Sequence, residues 1–134
     1  MKKPSFVHGK NVETIVRDIL KSKAFSNIYL YLIQKNGAVT EQIIKGSRLH
    51  PSTVRETLSK MNEQKLIFRI KIKNDKIGKN PFVYYAISPF ELIKRYSKEL
   101  EENLNRLARF AASEDKEKNY KPINIKIKQR EEST

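Results

Sequence analysis

The sequence predicts a mainly α-helical domain carrying one small β-hairpin, followed by a long C-terminal helix and a flexible tail. Three observations carry this expectation. Apolar residues recur at three- and four-residue steps through three segments before Gln64. The period then falls to two at Phe68, Ile70 and Ile72, ahead of a turn-rich stretch and a second apolar run. From Ser88 a single helical pattern continues unbroken for about 24 residues, or ~36 Å.

Taken in order, Asn11 to Lys23 reads as a first helix, with Val12, Ile15, Val16, Ile19 and Leu20 on its apolar face. A second helix is expected after Ser26 as N-cap, with Ile28, Tyr29, Leu32 and Ile33 apolar and Gly37 as the stop. Ala38-Val39 has room only for a brief strand or extended link. Thr40 then caps a short helix from Glu41 to Lys45, ended by Gly46-Ser47. Pro51 opens the next helix at its first turn, where a missing N–H costs nothing. Val54, Leu58 and Met61 share one face of it, and Ser52, Thr53, Arg55, Glu56 and Ser59 point away.

In the strand that follows, Phe68, Ile70 and Ile72 alternate with Arg69, Lys71 and Lys73, the pattern of one solvated face. The segment from Asn74 to Asn80 forms a basic tip, and Pro81 to Ile87 the return strand. Tyr84 and Tyr85 are expected to pack this hairpin on the helices. Its Arg/Lys face is expected to carry no aromatic residue, which argues against a surface that stacks single-stranded bases. In the last helix, from Ser88-Pro89 to about Ala112, Phe90, Ile93, Ser97, Leu100, Leu104, Leu107 and Ala111 make a heptad-like seam. The mixed charges from Ser113 onward read as a mobile tail, with the alternation Ile123-Asn124-Ile125-Lys126-Ile127 as its one strand-like piece. The expected organisation is therefore a flexible lead over 1–10, one compact domain over 11–88, the long helix over 89–112 and the tail over 113–134.

Composition narrows the function. A chain of 134 residues holds one ordinary core. Hydrophobic residues at 38% fall below the usual ~45–50%, consistent with a segment outside that core. There is no cysteine, hence no disulfide, thiolate metal site or cysteine nucleophile. No apolar run reaches the ~18–20 residues that span a bilayer, and the basic start Met1-Lys2-Lys3 lacks a signal core, so a soluble cytoplasmic protein without a membrane partner is expected. Catalysis is not expected. The two histidines, His8 and His50, have no partner at metal-ligand spacing, and the four glycines are too scattered to cradle a phosphate. Neither a metal nor a cofactor is implied.

The charge points the other way. Twenty-eight Lys and Arg against fifteen Asp and Glu give +13, the balance of a protein that meets a polyanion. The sixteen residues Lys65 to Asn80 hold +5 of it, six basic residues against Asp75.

The order helix, helix, short strand, helix, turn, helix, strand, basic loop, strand resembles the winged helix-turn-helix domain of prokaryotic regulators. The similarity is greatest to the DNA-binding module of the TrmB-like family, with MarR- and ArsR-type proteins as neighbours. It rests on SNIYLYLIQKNGAVTEQIIKGSRLHPSTVRETLSKMNEQKLIFRI, on FVYYAI, and on SPFELIKRYSKELEENLNRL. Larger TrmB-like proteins continue into an effector-binding domain for which this chain has no room, so sugar sensing does not carry over and no small-molecule effector is evident.

That resemblance implies a double-stranded DNA partner, a homodimer and site residues. His50, Ser52, Thr53, Arg55, Glu56 and Ser59 would face the major groove, with Lys60 nearer the backbone. Arg55 suits the O6 and N7 of a guanine, or else pairs with Ser59 or Glu56 along its helix or touches only phosphate. Ser52 and Thr53 are equally suited to capping that helix. Glu56 would accept from a cytosine, orient Arg55 or face solvent. The wing cations Arg69, Lys71, Lys73, Lys76 and Lys79 suit phosphate or minor-groove contact, and Phe90, Ile93, Leu100, Leu104 and Leu107 suit dimerisation. A transcription regulator of a prokaryotic cell, plasmid or virus is the leading expectation. The alternatives are a DNA-organising or plasmid-partition protein, and a winged helix that binds protein or RNA.

Overall fold

The computed structural model describes residues 11–72, 82–115 and 121–128. Four helices come first: α1 (Val12–Leu20), α2 (Lys23–Lys35), α3 (Thr40–Ser47) and α4 (Pro51–Glu63). An antiparallel pair, β1 (Ile67–Lys71) and β2 (Phe82–Ala86), precedes α5 (Pro89–Asp115). The fold is thus mostly helical with a two-stranded hairpin and a long C-terminal helix. The chain divides into two compact units, Met1–Ser88 and Pro89–Thr134.

In the first unit α2 is central, packing against α1, α3, α4 and β2. Ile28, Tyr29 and Leu32 of α2, Ile43 of α3, and Val54, Leu58 and Met61 of α4 are almost fully buried, with Val16, Leu66 and Ile67 closing the ends. The brief extended link is present as an antiparallel bridge. Ala38 N donates to the Tyr84 carbonyl at 3.0 Å, and Tyr84 N to the Ala38 carbonyl at 2.8 Å.

Several helix ends differ from the sequence expectation. α1 stops at Leu20 because Lys21 turns left-handed (φ 59°), its N–H donating to the Arg17 carbonyl. The N-cap of α2 is Ser22, whose Oγ accepts from Phe25 N at 3.2 Å; Ser26 lies a turn inside the helix and is buried. Two serines four residues apart offer the same hydroxyl, and the short link from α1 selects the earlier one. α3 is longer at both ends, with Val39 at the N-cap. Valine has no acceptor, so only half of a capping box exists, in which Val39 N donates to Gln42 Oε1 at 3.0 Å.

Gly46 does not end α3. It lies inside the helix, where a Cβ would overlap the Tyr31 ring. Gly37 is needed twice over: its φ is +106°, and a Cβ there would overlap the Tyr85 ring.

In the second unit α5 runs to Asp115, about 40 Å in length. Leu92, absent from the expected seam, is its buried residue. Residues 121–128 are not free of this helix, as the mobile-tail reading expected, because their backbone is hydrogen bonded to Asn105 and Glu101 of α5. Among the described residues no helix is long and apolar enough to cross a membrane.

Candidate nucleic-acid interface

A three-residue turn, Arg48 to His50, joins α3 to α4. Arg48 is left-handed (φ 59°), and Ser47 Oγ accepts from Leu49 N at 3.3 Å. The cap of α4 is neither Ser52 nor Thr53 but His50. Its Nδ1 accepts from Ser52 N at 3.2 Å, with Ser52 Oγ 2.8 Å away. Both contacts are satisfied when the ring proton sits on Nε2 and the serine hydroxyl donates. The histidine and Ser52 are thus engaged in starting the helix.

From there the faces of α4 separate cleanly. Val54, Thr57, Leu58 and Met61 are buried, while Ser52, Arg55, Glu56, Ser59 and Lys60 are exposed and Thr53 is half-buried. Arg55 does not pair along its own helix. Its guanidinium lies 3.9 Å from Glu41 Oε1 on α3. Glu56 therefore does not orient Arg55; it pairs with Lys60 one turn on, at 3.1 Å. Exposed pairs of this kind are worth roughly 0–1 kcal/mol, little enough to yield to a phosphate or a base edge.

The hairpin leaves directly from α4. Lys65 turns left-handed (φ 58°) and Leu66 N donates to the Met61 carbonyl at 3.0 Å, which places β1 against α4. In the register, Ile67, Arg69 and Lys71 lie opposite Ala86, Tyr84 and Phe82, whereas Phe68 and Ile70 lie opposite Tyr85 and Val83. This corrects two expectations. Aromatic residues do stand on the basic face: the Arg69 guanidinium sits 4.3 Å from the centre of the Phe82 ring, beside Tyr84. The face expected to be covered is open, with Phe68 at 48% and Ile70 at 54% exposure, and Ile67 is the buried member of the strand. Phe68 stacks on Tyr85 at 5.4 Å between ring centres. Wing residues Lys73, Lys76 and Lys79 lie outside the described residues.

Where the hairpin ends, Tyr29 Oη donates to the Ile87 carbonyl at 2.9 Å. Burial pushes the Tyr29 hydroxyl up to about 12, since a phenolate would lose its hydration there. A cleft of about 440 Å³ also opens between α1, α2 and α3, bordered by Val12, Asn27, Leu30, Tyr31, Gln34 and Gly46. Among the described residues no cluster of three or more His, Asp or Glu could hold a metal.

Three helices under a hairpin, an exposed polar helix after a tight turn and a long trailing helix settle the architecture. The fold is a winged helix. No family model matches the chain, and no curated protein does. Among solved structures this winged helix is similar to a possible transcriptional regulator from Methanosarcina mazei Go1, at 20% identity and TM-score 0.65, over 78% of this chain and 88% of that one. It is also similar to NadR in complex with 4-hydroxyphenylacetate, at 15% identity and TM-score 0.50, over 87% and 90% of the two chains. An S. aureus MepR mutant shares 18% identity over 79% and 77%, with a TM-score of 0.47. The likeness supports the winged-helix reading without selecting the TrmB-like group. NadR holds a small aromatic acid, so the expectation of no effector gains no support from it.

The sequence reading missed Glu41, Thr57 and Phe82. Thr57 completes the stripe of Val54, Leu58 and Met61 at helical spacing and was legible. Glu41 and Phe82 reach Arg55 and Arg69 from other elements, and no local pattern announces that.

Proposed function

We propose that this winged helix binds double-stranded DNA as a homodimer and regulates transcription in a prokaryotic cell, plasmid or virus. The observation that carries the reading is the outward face of α4, where Ser52, Arg55, Glu56, Ser59 and Lys60 are all open to solvent on a helix anchored from behind. Arg55 supplies the donor pair that suits guanine, and Ser59 and Glu56 offer shorter-range contacts beside it. Thr53, half-buried, serves the edge of that face, and His50 sets where the helix begins. Arg69, held over Phe82, and Lys71 supply phosphate contacts that position the protein without reading sequence, with Lys73, Lys76 and Lys79 in the same role. Phe90, Ile93, Leu104 and Leu107 are exposed and Leu100 half-buried on α5, the seam through which two copies would meet.

Titration of the full chain against duplex DNA and against RNA, at several salt concentrations, tests the reading. Saturable binding to duplex with a steep negative salt slope is expected, and a preference for RNA would overturn it. The basic aromatic face of the hairpin favours one second reading, a contact to unpaired bases, which the same titration with single-stranded DNA separates.

A further inference from the structure

Helix α5 holds an extended stretch of its own chain with a matched set of side chains. Asn105 Nδ2 donates to the Ile123 carbonyl at 2.9 Å while Asn105 Oδ1 accepts from the Ile123 amide at 2.6 Å, so one carboxamide closes on both backbone groups of one residue. One turn earlier, Glu101 Oε2 accepts from the Ile125 amide at 2.9 Å. The two spacings match. Four helical residues rise ~6.0 Å and two extended residues ~6.6 Å, so side chains at i and i+4 meet alternate residues of a strand laid antiparallel to the helix. Ala108 and Ala112, half-buried, continue the same stripe with side chains small enough to let a backbone approach.

Alternation puts Ile123, Ile125 and Ile127 on one side of this segment and Asn124, Lys126 and Lys128 on the other. Ile125 is half-buried, but Ile123 and Ile127 keep 39% and 47% of their surface open. At 3.6 residues per turn, the stripe next to Glu101 and Asn105 is Leu100, Leu104 and Leu107, and Leu107 is 62% exposed. Helix seam and segment thus each present apolar side chains that are incompletely covered.

We propose that residues 121–128 and the α5 seam together form the surface that meets a second copy of this chain, making the segment part of a dimer interface. The inference rests on the dimer reading above and assigns it a component that reading lacks. Charge selects a second copy as the occupant. Residues 89–134 hold eleven basic and nine acidic residues, close to balance, whereas residues 1–88 hold seventeen and six. Two copies repel through their first units and meet without that penalty through their second.

Sedimentation equilibrium at micromolar concentration tests this on four full-length variants: Ile123→Asp with Ile127→Asp, Asn105→Ala, Leu107→Asp and, on the opposite side of the segment, Lys126→Asp. The wild-type chain is expected to be a dimer. The paired isoleucine variant should weaken it at least tenfold with unchanged helical circular dichroism, Asn105→Ala should weaken it in the same direction, and Lys126→Asp should leave it as it was. If Leu107→Asp dissociates the dimer and the paired isoleucine variant does not, the dimer reading stands and the segment is outside the interface. A wild-type monomer throughout the range overturns both.

Discussion

Helix α4 and strand β1 follow one another along the chain, and each alternates apolar with charged residues, yet they meet solvent differently. Every apolar residue on the inner stripe of α4 is buried and every charged one is open. In β1 only Ile67 is buried, and Phe68 and Ile70 are exposed along with Arg69 and Lys71. A helix packed against α2, α3 and β1 has one direction left for its polar side chains. A two-stranded hairpin has two faces and too few helices to cover either beyond its base. Period therefore tells which residues share a face, while burial depends on what stands opposite.

Met61→Ala empties a fully buried site and should cost ~2–5 kcal/mol in urea unfolding, whereas Ile70→Ala, half in solvent already, should cost well under half as much. Equal losses would mean that the open hairpin face is covered.

The next largest effect concerns the tie between hairpin and helices. Tyr29→Phe leaves the Ile87 carbonyl without its donor and should cost about 1–2 kcal/mol at neutral pH. The folded hydroxyl titrates near 12 and the unfolded one near 10, so the folded state holds its proton more tightly. Stability is therefore intact below pH 10 and falls as pH rises from there towards 12, by roughly 1–3 kcal/mol. Unfolding midpoints of the wild-type chain should show that fall, and those of Tyr29→Phe should lack this contribution.

On DNA the two regions should separate by kind of effect. Arg55→Ala should cost ~1–3 kcal/mol at one symmetric pair of positions and little on random duplex. Arg69→Ala and Lys71→Ala should weaken all duplexes alike and flatten the log-log salt dependence by ~0.9 for each phosphate left unneutralised. A penalty for Arg55→Ala that is the same on every sequence would make α4 a second phosphate-binding element.

The smallest effect sharpens the start of α4. His50→Ala removes the acceptor for Ser52 N and should cost about 1 kcal/mol, comparable to removal of other N-caps, while Thr53→Ala should leave the cap intact. Thermal unfolding of the two variants separates them.

Much of this was legible along the chain. Helix existence, the hairpin and the buried stripe of α4 all follow from period and from Pro51. What was not legible came from partners distant in sequence or from equivalent local choices. Ser22 and Ser26 offered the same cap. Gly46 looked like a stop because the Tyr31 ring that requires it comes from another helix. The pairing of Arg55 with Ser59 or Glu56, one alternative to a base contact, is not what forms, because Glu41 of α3 stands beside it. The segment 121–128 carried the alternation of a strand, but its partner is a helix whose Glu101 and Asn105 look like ordinary surface residues.

Whether α4 reads DNA sequence for a dimer is decided by letting the full chain select fragments from mixed genomic DNA and sequencing what is retained. Inverted repeats are expected whose half-sites lie about one helical turn, ~34–36 Å, apart, because that spacing places both copies of α4 in successive major grooves on one side of the duplex. Selection by Arg55→Ala should lose the preference at one position of each half-site. Long, unphased coverage with no shared motif would instead make the protein one that coats DNA without reading it.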